Sequence, residues 1–183
     1  MTRTTSTATP RLARPDDVDA ITEIYNQAVA DQVATCDLSD VPVDRRREWL
    51  AAQSYPYGVW VTEDDTGVQG WVALLPYDSK PCFHRTATFA TYVRREARGR
   101  GVGSLLRTWM LDQATERGFH TVVNRVWAVN TASIALAKRF GFVEVGRMRD
   151  LVDLSGSYVD CVFFQLVLDD RDWRAGATTE AVR

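Results

Sequence analysis

Residues that hold metals or form disulfides are scarce in this sequence. Histidine occurs twice, as His84 and His120, and cysteine three times, as Cys36, Cys82 and Cys161. Ligands so few and so widely spaced exclude a zinc motif and a histidine-rich metal centre. An odd number of cysteines argues against a disulfide framework and suits a reducing cytoplasm. An excess of one charge is also missing: 22 Lys and Arg face 24 Asp and Glu, for a formal net charge of -2. No overall field draws the chain to nucleic acid or to a membrane, so any anion site must be local. No apolar run approaches the roughly 18 residues of a membrane span, and MTRTTSTATP at the N-terminus lacks the apolar segment of a secretion signal.

What is present is the composition of an ordinary globular domain, 45% hydrophobic and 25% charged over 183 residues. That length supports one substantial core. The reading is a flexible arm over 1–10, a single domain over 11–168 and a polar tail over 169–183. Arg11–Arg14 reads as a short strand. Val18, Ile21, Ile24, Tyr25, Ala28 and Val29 recur at helical spacing after Pro15-Asp16-Asp17. A second helix spans about Asp44 to Gln53, its Arg45-Arg46-Arg47 run read as a solvated face. Gly58–Thr62 and Val68–Leu75 flank a turn, and the β-branched, aromatic Thr86–Val93 reads as a central strand. A helix presenting Leu105, Leu106, Trp109, Met110 and Ala114 follows, then strand Thr121–Val126 and helix Thr131–Phe140, capped by Asn130 and ended by Gly141. Two strands turned by Ser155-Gly156-Ser157 close a single α/β domain with a mixed sheet.

Between central strand and helix lies RGRGVG, Arg98 to Gly103. A strand, a glycine loop and a helix present free backbone N–H groups and a positive dipole end to an anion. Gly101 and Gly103 permit positive φ and close approach, so consecutive N–H groups can form a concave nest. The spacing G-x-G-x-G fits neither a P-loop nor a dinucleotide fingerprint. By itself the loop also fits a tight turn with solvated arginines.

The pattern Arg98-x-x-Gly101-x-Gly103 after Tyr92-Val93, followed by WAVNTASIALAKRFGF (Trp127–Phe142), resembles the GNAT acetyltransferases. IYNQAV, YVRREARGRGVG, NTASIAL, FGFVEVGRMRD and YVDCVFFQL resemble their phosphinothricin acetyltransferase branch, from about Arg11 to Leu168. The resemblance implies the GNAT fold, a mixed, mostly antiparallel sheet of about seven strands flanked by helices. It implies acetyl-CoA as co-substrate, a small amino-acid-like amine as acceptor and assembly as a homodimer. To acetyl-CoA it assigns Thr91, Tyr92, Val93, Arg98, Gly99, Arg100, Gly101, Val102, Gly103, Asn130 and Ser133. To the acceptor side it assigns Asp78, Ser79, Lys80, Thr88, Phe89 and Ala90.

The sequence departs from that branch at the chemistry. Thr88 stands where relatives carry a glutamate base, and Ala137 where they carry a histidine or tyrosine. Threonine cannot act as a base at neutral pH. The catalytic assignments are therefore Thr88, holding a water, and the backbone N–H near Val93 for the oxyanion. Asp78, Asp153, His84 and His120 are the titratable alternatives for the base. Cys36 replaces an aromatic, and two basic contacts for a substrate anion are missing. These absences also motivate a second reading, an acetyl-CoA-binding module with weak or no catalysis. Nucleic-acid binding through Arg94, Arg95, Arg98 and Arg100 lacks both the charge balance and a base-stacking motif.

Overall fold

The computed structural model describes residues 9–168. The arm and tail expected at 1–10 and 169–183 lie outside it, apart from exposed Thr9 and buried Pro10. Seven strands, β1 (Arg11–Leu12), β2 (Gly58–Asp64), β3 (Gly67–Pro76), β4 (Thr86–Val93), β5 (Thr121–Trp127), β6 (Val143–Leu154) and β7 (Ser157–Val167), form one sheet in the order β1-β2-β3-β4-β5-β7-β6. Every pairing is antiparallel except β4 with β5. A parallel pair needs a long crossover. Helix α3 (Val102–Glu116) supplies it.

Two cores follow from strand alternation. On one sheet face Val72, Leu74, Ala87, Phe89, Val122, Val126 and Phe164 pack against Leu106, Met110 and Ala114 of α3 and Ala137 of α4 (Thr131–Arg139). On the other, Val59, Val61, Trp71 and Ala73 pack against Ile21, Ile24, Tyr25 and Val29 of α1 (Val18–Asp31). All six apolar positions expected on α1 are buried.

Two helical faces differ from expectation. Helix α2 (Val43–Ala51) does not solvate its whole arginine run: Arg45 and Arg47 are exposed, but Arg46 is 7% exposed and stacks 4.0 Å from the Tyr25 ring centroid. The aromatic face returns part of the hydration that the guanidinium loses. On α3, Leu105 and Trp109 are only half-buried, whereas Arg107 and Leu111 are fully inside.

Arg11 anchors the domain's N-terminal edge by gripping two carboxylates. Its Nη1 and Nη2 donate to Asp17 (2.8 and 2.9 Å), and its Nε and Nη2 donate to Glu63 (3.0 and 2.6 Å). Asp17 is buried at 7% exposure and also accepts from the Arg14 N–H at 2.6 Å. The Arg11 hydrogen bonds hold its carboxyl below the ordinary value despite burial. A carboxyl depressed in the folded state contributes stability above its unfolded pKa, and that contribution is lost as pH falls through the folded pKa. Asp17→Asn is therefore expected to cost about 1–3 kcal/mol at pH 7. The deficit should shrink once pH drops below the ordinary aspartate pKa of about 3.9. Urea unfolding of both proteins at pH 7 and at the lowest pH where the fold persists would show it.

Candidate active site

The ladder between β4 and β5 runs only from Thr86–Thr121 to Thr88–Val123, and beyond it the strands part. The Arg94 N–H bonds to the Gln69 carbonyl, and the register pairs Val93 with Gly70. Antiparallel alternation then turns the N–H and C=O groups of Phe89, Thr91 and Val93 toward the gap. The gap is a cleft of about 380 Å3, lined by Thr88, Phe89, Ala90, Thr91 and Tyr92 from one strand and Asn124, Arg125, Val126 and Trp127 from the other. Asn130 and Ser133 close it from α4, and Tyr25, Thr35 and Cys36 from the α1 side.

The glycine loop stands at the open end. Gly99 and Gly101 have φ of 74° and 82°, in the left-handed region. Gly103 does not: it lies inside α3, and its role is proximity, since an added Cβ would sit 3.6 Å from Leu136 and 3.8 Å from Val93. Gly101 is the N-cap and makes no side-chain capping bond. The first helical bond is Leu105 N–H to Gly101 C=O, so the N–H groups of Val102, Gly103 and Ser104 have no intrahelical acceptor. Such a terminus suits an anion.

The arginines beside the loop brace it. Arg94 pairs with Glu23 at 2.6 Å, and Arg95 and Arg98 pair with Asp31 at 2.6 and 2.7 Å. Partial burial pushes the Asp31 carboxyl up, but the two guanidinium partners hold it below its ordinary value. Arg98 Nε also donates to the Val93 carbonyl at 3.2 Å. Arg100 is exposed at the loop tip. With three of the four arginines bound to α1 carboxylates, little of the supposed nucleic-acid patch is left to meet phosphates.

Asn130 caps α4, its Oδ1 accepting from the Ser133 N–H at 3.0 Å, while its Nδ2 donates to the Val33 carbonyl at 3.3 Å. On the α1 face, Tyr25 donates to Asp37 Oδ2 at 2.5 Å and shares a short hydrogen bond with Thr35. Tyr92 donates to the Ala34 carbonyl at 3.3 Å and packs on Trp71 and Tyr25. Burial raises both phenol pKa values, assisted at Tyr25 by the Asp37 hydrogen bond, so neither serves as a base near neutral pH.

Asp78, Ser79 and Lys80 are exposed beyond β3 and do not line the cleft; the Lys80 N–H bonds to Asp78 in a local turn. The chain leaves the sheet at Pro76, past the closed end of the split, which keeps these three residues off the cleft lining. Asp153 accepts from the Gly156 N–H in the β6–β7 turn, and His84 bonds to the Pro81 carbonyl. Among the cleft-lining residues there is no Asp, Glu or His. Sequence reasoning missed Tyr25, Thr35, Arg107, Asn124 and Arg125. A usable signal existed only for Arg107, a charge flanked by Leu106 and Met110 in an apolar stripe.

Donors without partners on the α3 face of the cleft fit a ligand rich in acceptors: Thr91 Oγ1 and two nitrogens of Arg107 are buried and unbonded, beside the uncapped amides of α3. A sheet split at its parallel pair, with a glycine-opened helix terminus at the split, makes a site for an anionic ligand with an extended arm. A profile described as Acetyltransferase (GNAT) family matches residues 19–142. The L-amino acid N-acyltransferase MnaT of Escherichia coli (strain K12) is 33% identical over 162 residues, covering 88% of this chain and 94% of that protein. The L-methionine sulfoximine/L-methionine sulfone acetyltransferase of Salmonella typhimurium is 34% identical over 163 residues, covering 88% and 95%. A phosphinothricin acetyltransferase of Sinorhizobium meliloti, solved with acetyl-CoA, superposes with a TM-score of 0.82 at 27% identity, covering 88% of each chain. The chain belongs to the acetyltransferase (GNAT) family: it is an N-acetyltransferase with acetyl-CoA as co-substrate.

Proposed function

We propose that the enzyme acetylates the amino group of a small amino-acid-like molecule, as a resistance or natural-product-modifying activity. The observation that carries this reading is the cleft itself, which opens at one end on the uncapped α3 terminus and is walled on the α1 face by a compact aromatic cluster. Named relatives act on phosphinothricin and on methionine sulfoximine or sulfone. In the reaction, the neutral amine attacks the thioester carbonyl, and a gap-facing β4 N–H near the apex of the split, Phe89 or Thr91, holds the oxyanion, whereas the Val93 N–H expected from sequence lies at the loop end beside Gly103.

Thr88 lines the cleft on the strand face shared with Ala90 and Tyr92, toward α1. There it holds the water that takes the amine proton. An amine of pKa about 8 is roughly a tenth neutral at pH 7, whereas one of about 10.4 is under a thousandth neutral. A cleft without a carboxylate or histidine therefore favours a weakly basic acceptor. The same lack favours the second reading, an acetyl-CoA-binding module without turnover. Free-thiol release across phosphinothricin, methionine sulfone, the common amino acids and cationic amines separates the two. Turnover on one subset is the expected result; acetyl-CoA binding with no release on any amine would favour the module.

Homodimer assembly is supported by the outer strand β6, which exposes Val143, Val145, Met148 and Leu151 along an unpaired edge. A monomer on gel filtration at micromolar concentration would contradict it.

A further inference from the structure

Helix α3 carries a guanidinium to the closed end of the cleft. Arg107 is 2% exposed and lies 4.4 Å from the Phe89 ring centroid and 5.6 Å from that of Phe142. Phe89 is the residue next to Thr88, the last position paired with β5, so Arg107 lines the apex of the split. Its Nε and Nη1 have no hydrogen-bond partner, and among the described residues no acidic group offsets its charge. Burial lowers its pKa to about 9, which leaves it protonated at neutral pH. The two rings would pack better around an apolar side chain. A cation held there without an anion awaits one.

The identity of that anion follows from position. The pyrophosphate site is the first turn of α3, and Arg107 lies about 7.5 Å further along the helix axis, at the other end of the gap. The titratable groups that line the cleft elsewhere are Tyr25, Tyr92, Cys36 and Arg125. The two phenols belong to the core on the α1 face. Cys36 follows α1, and Arg125 alternates with the α3-facing Val126. On the α3 face Arg107 is accompanied by neutral Thr91, Asn124 and Ser133. The arm of acetyl-CoA is neutral between its phosphates and the thioester. New negative charge arises there on the carbonyl oxygen as the amine adds, where the gap-facing N–H groups of β4 take it up, and then on sulfur as the C–S bond breaks.

We propose that Arg107 is a catalytic residue that receives the coenzyme A thiolate. The inference rests on the acetyl-transfer reading above. The amine lone pair forms the N–C bond, and its proton leaves through the water at Thr88. The C–S bond breaks with its electron pair on sulfur, and the thiolate departs paired with the Arg107 guanidinium. A group unpaired in the ground state and paired as the charge develops lowers the barrier rather than tightening substrate binding. It also supplies the leaving-group stabilisation that buried Ala137 cannot.

The test is an ultraviolet titration of the thiol of coenzyme A bound to the wild type, Arg107→Met and Arg107→Lys. Desulfo-coenzyme A serves as the binding control. The wild type should shift the bound thiol at least one unit below the value of coenzyme A free in the same buffer, the lysine variant should keep part of the shift, and the methionine variant should lose it. All three should bind desulfo-coenzyme A alike, and kcat of Arg107→Met should fall roughly 10–100-fold with the amine KM unchanged. A thiol that titrates normally on the wild type would overturn the proposal. So would a wild-type preference for succinyl- or malonyl-CoA over acetyl-CoA that disappears in Arg107→Met, which would assign the cation to an acyl carboxylate. Equal weakening of coenzyme A and desulfo-coenzyme A would reduce it to a contact with the arm. Failure of the wild type to bind coenzyme A at all would instead refute acetyl transfer.

Discussion

Valine at both Gly101 and Gly103 is expected to weaken acetyl-CoA binding by more than about 100-fold, or roughly 2.7 kcal/mol. The two positions fail for different reasons. At Gly101 φ is 82° and an added Cβ meets nothing within 4 Å, so the penalty is entirely in the backbone. An L-residue in that region costs about 1–2 kcal/mol, and a β-branched one more. The loop relieves this by rotating its N–H groups away from the nest. At Gly103 the backbone is helical, but the γ-carbons of valine would crowd Leu136 and Val93 at the entrance to the cleft. Gly118 provides the control, because it has φ of 77° and an open Cβ position after α3. Gly118→Ala should lose stability without losing affinity. Calorimetric titration of the three proteins with acetyl-CoA decides the matter, and undiminished binding by the double variant would remove the loop from the site.

Thr88→Glu is expected to accelerate transfer to strongly basic amines by about 10–100-fold at pH 7. In the wild type, log kcat/KM should climb with a slope near one until the acceptor's own pKa is reached, about 8 for an α-amine and about 10.4 for a lysine-like amine. A carboxylate at position 88 should flatten that climb, because the protein then collects the proton. Thr88 is half-buried on the α1 side of β4 and sits at the last rung of the β4–β5 ladder, where a longer side chain points into the cleft. Paired pH–rate profiles for one weakly and one strongly basic acceptor test this. A wild-type profile that bends at the same pH for both amines would reveal a protein base elsewhere.

These expectations draw on what local pattern could and could not disclose. The α1 stripe from Val18 to Val29 was legible because period 3.6 is written in consecutive residues. The cap at Asn130 was legible because the partner N–H lies three residues ahead. The split between β4 and β5 was not, since it is a register between strands separated by a whole helix. In sequence, Arg46 belongs to a solvated helix face and Arg107 stands out only as a charge inside an apolar stripe. Their burial depends on Tyr25 and Trp49 in one case and on Phe89 and Phe142 in the other, neighbours set by tertiary packing. The position of Asp78 to Lys80 off the cleft is hidden for a related reason: the chain leaves the sheet at Pro76, and local spacing does not say in which direction.

The fork of Arg95 and Arg98 on Asp31 joins the glycine loop to the last residue of α1, and the segment that follows α1 carries Thr35 and Cys36 into the amine side of the cleft. Any adjustment of the loop on taking up acetyl-CoA is thereby passed to the opposite wall. Linkage makes such a connection mutual. Acetyl-CoA and the amine are therefore expected to change each other's affinity by one common factor, which titration of each in the presence of the other would measure.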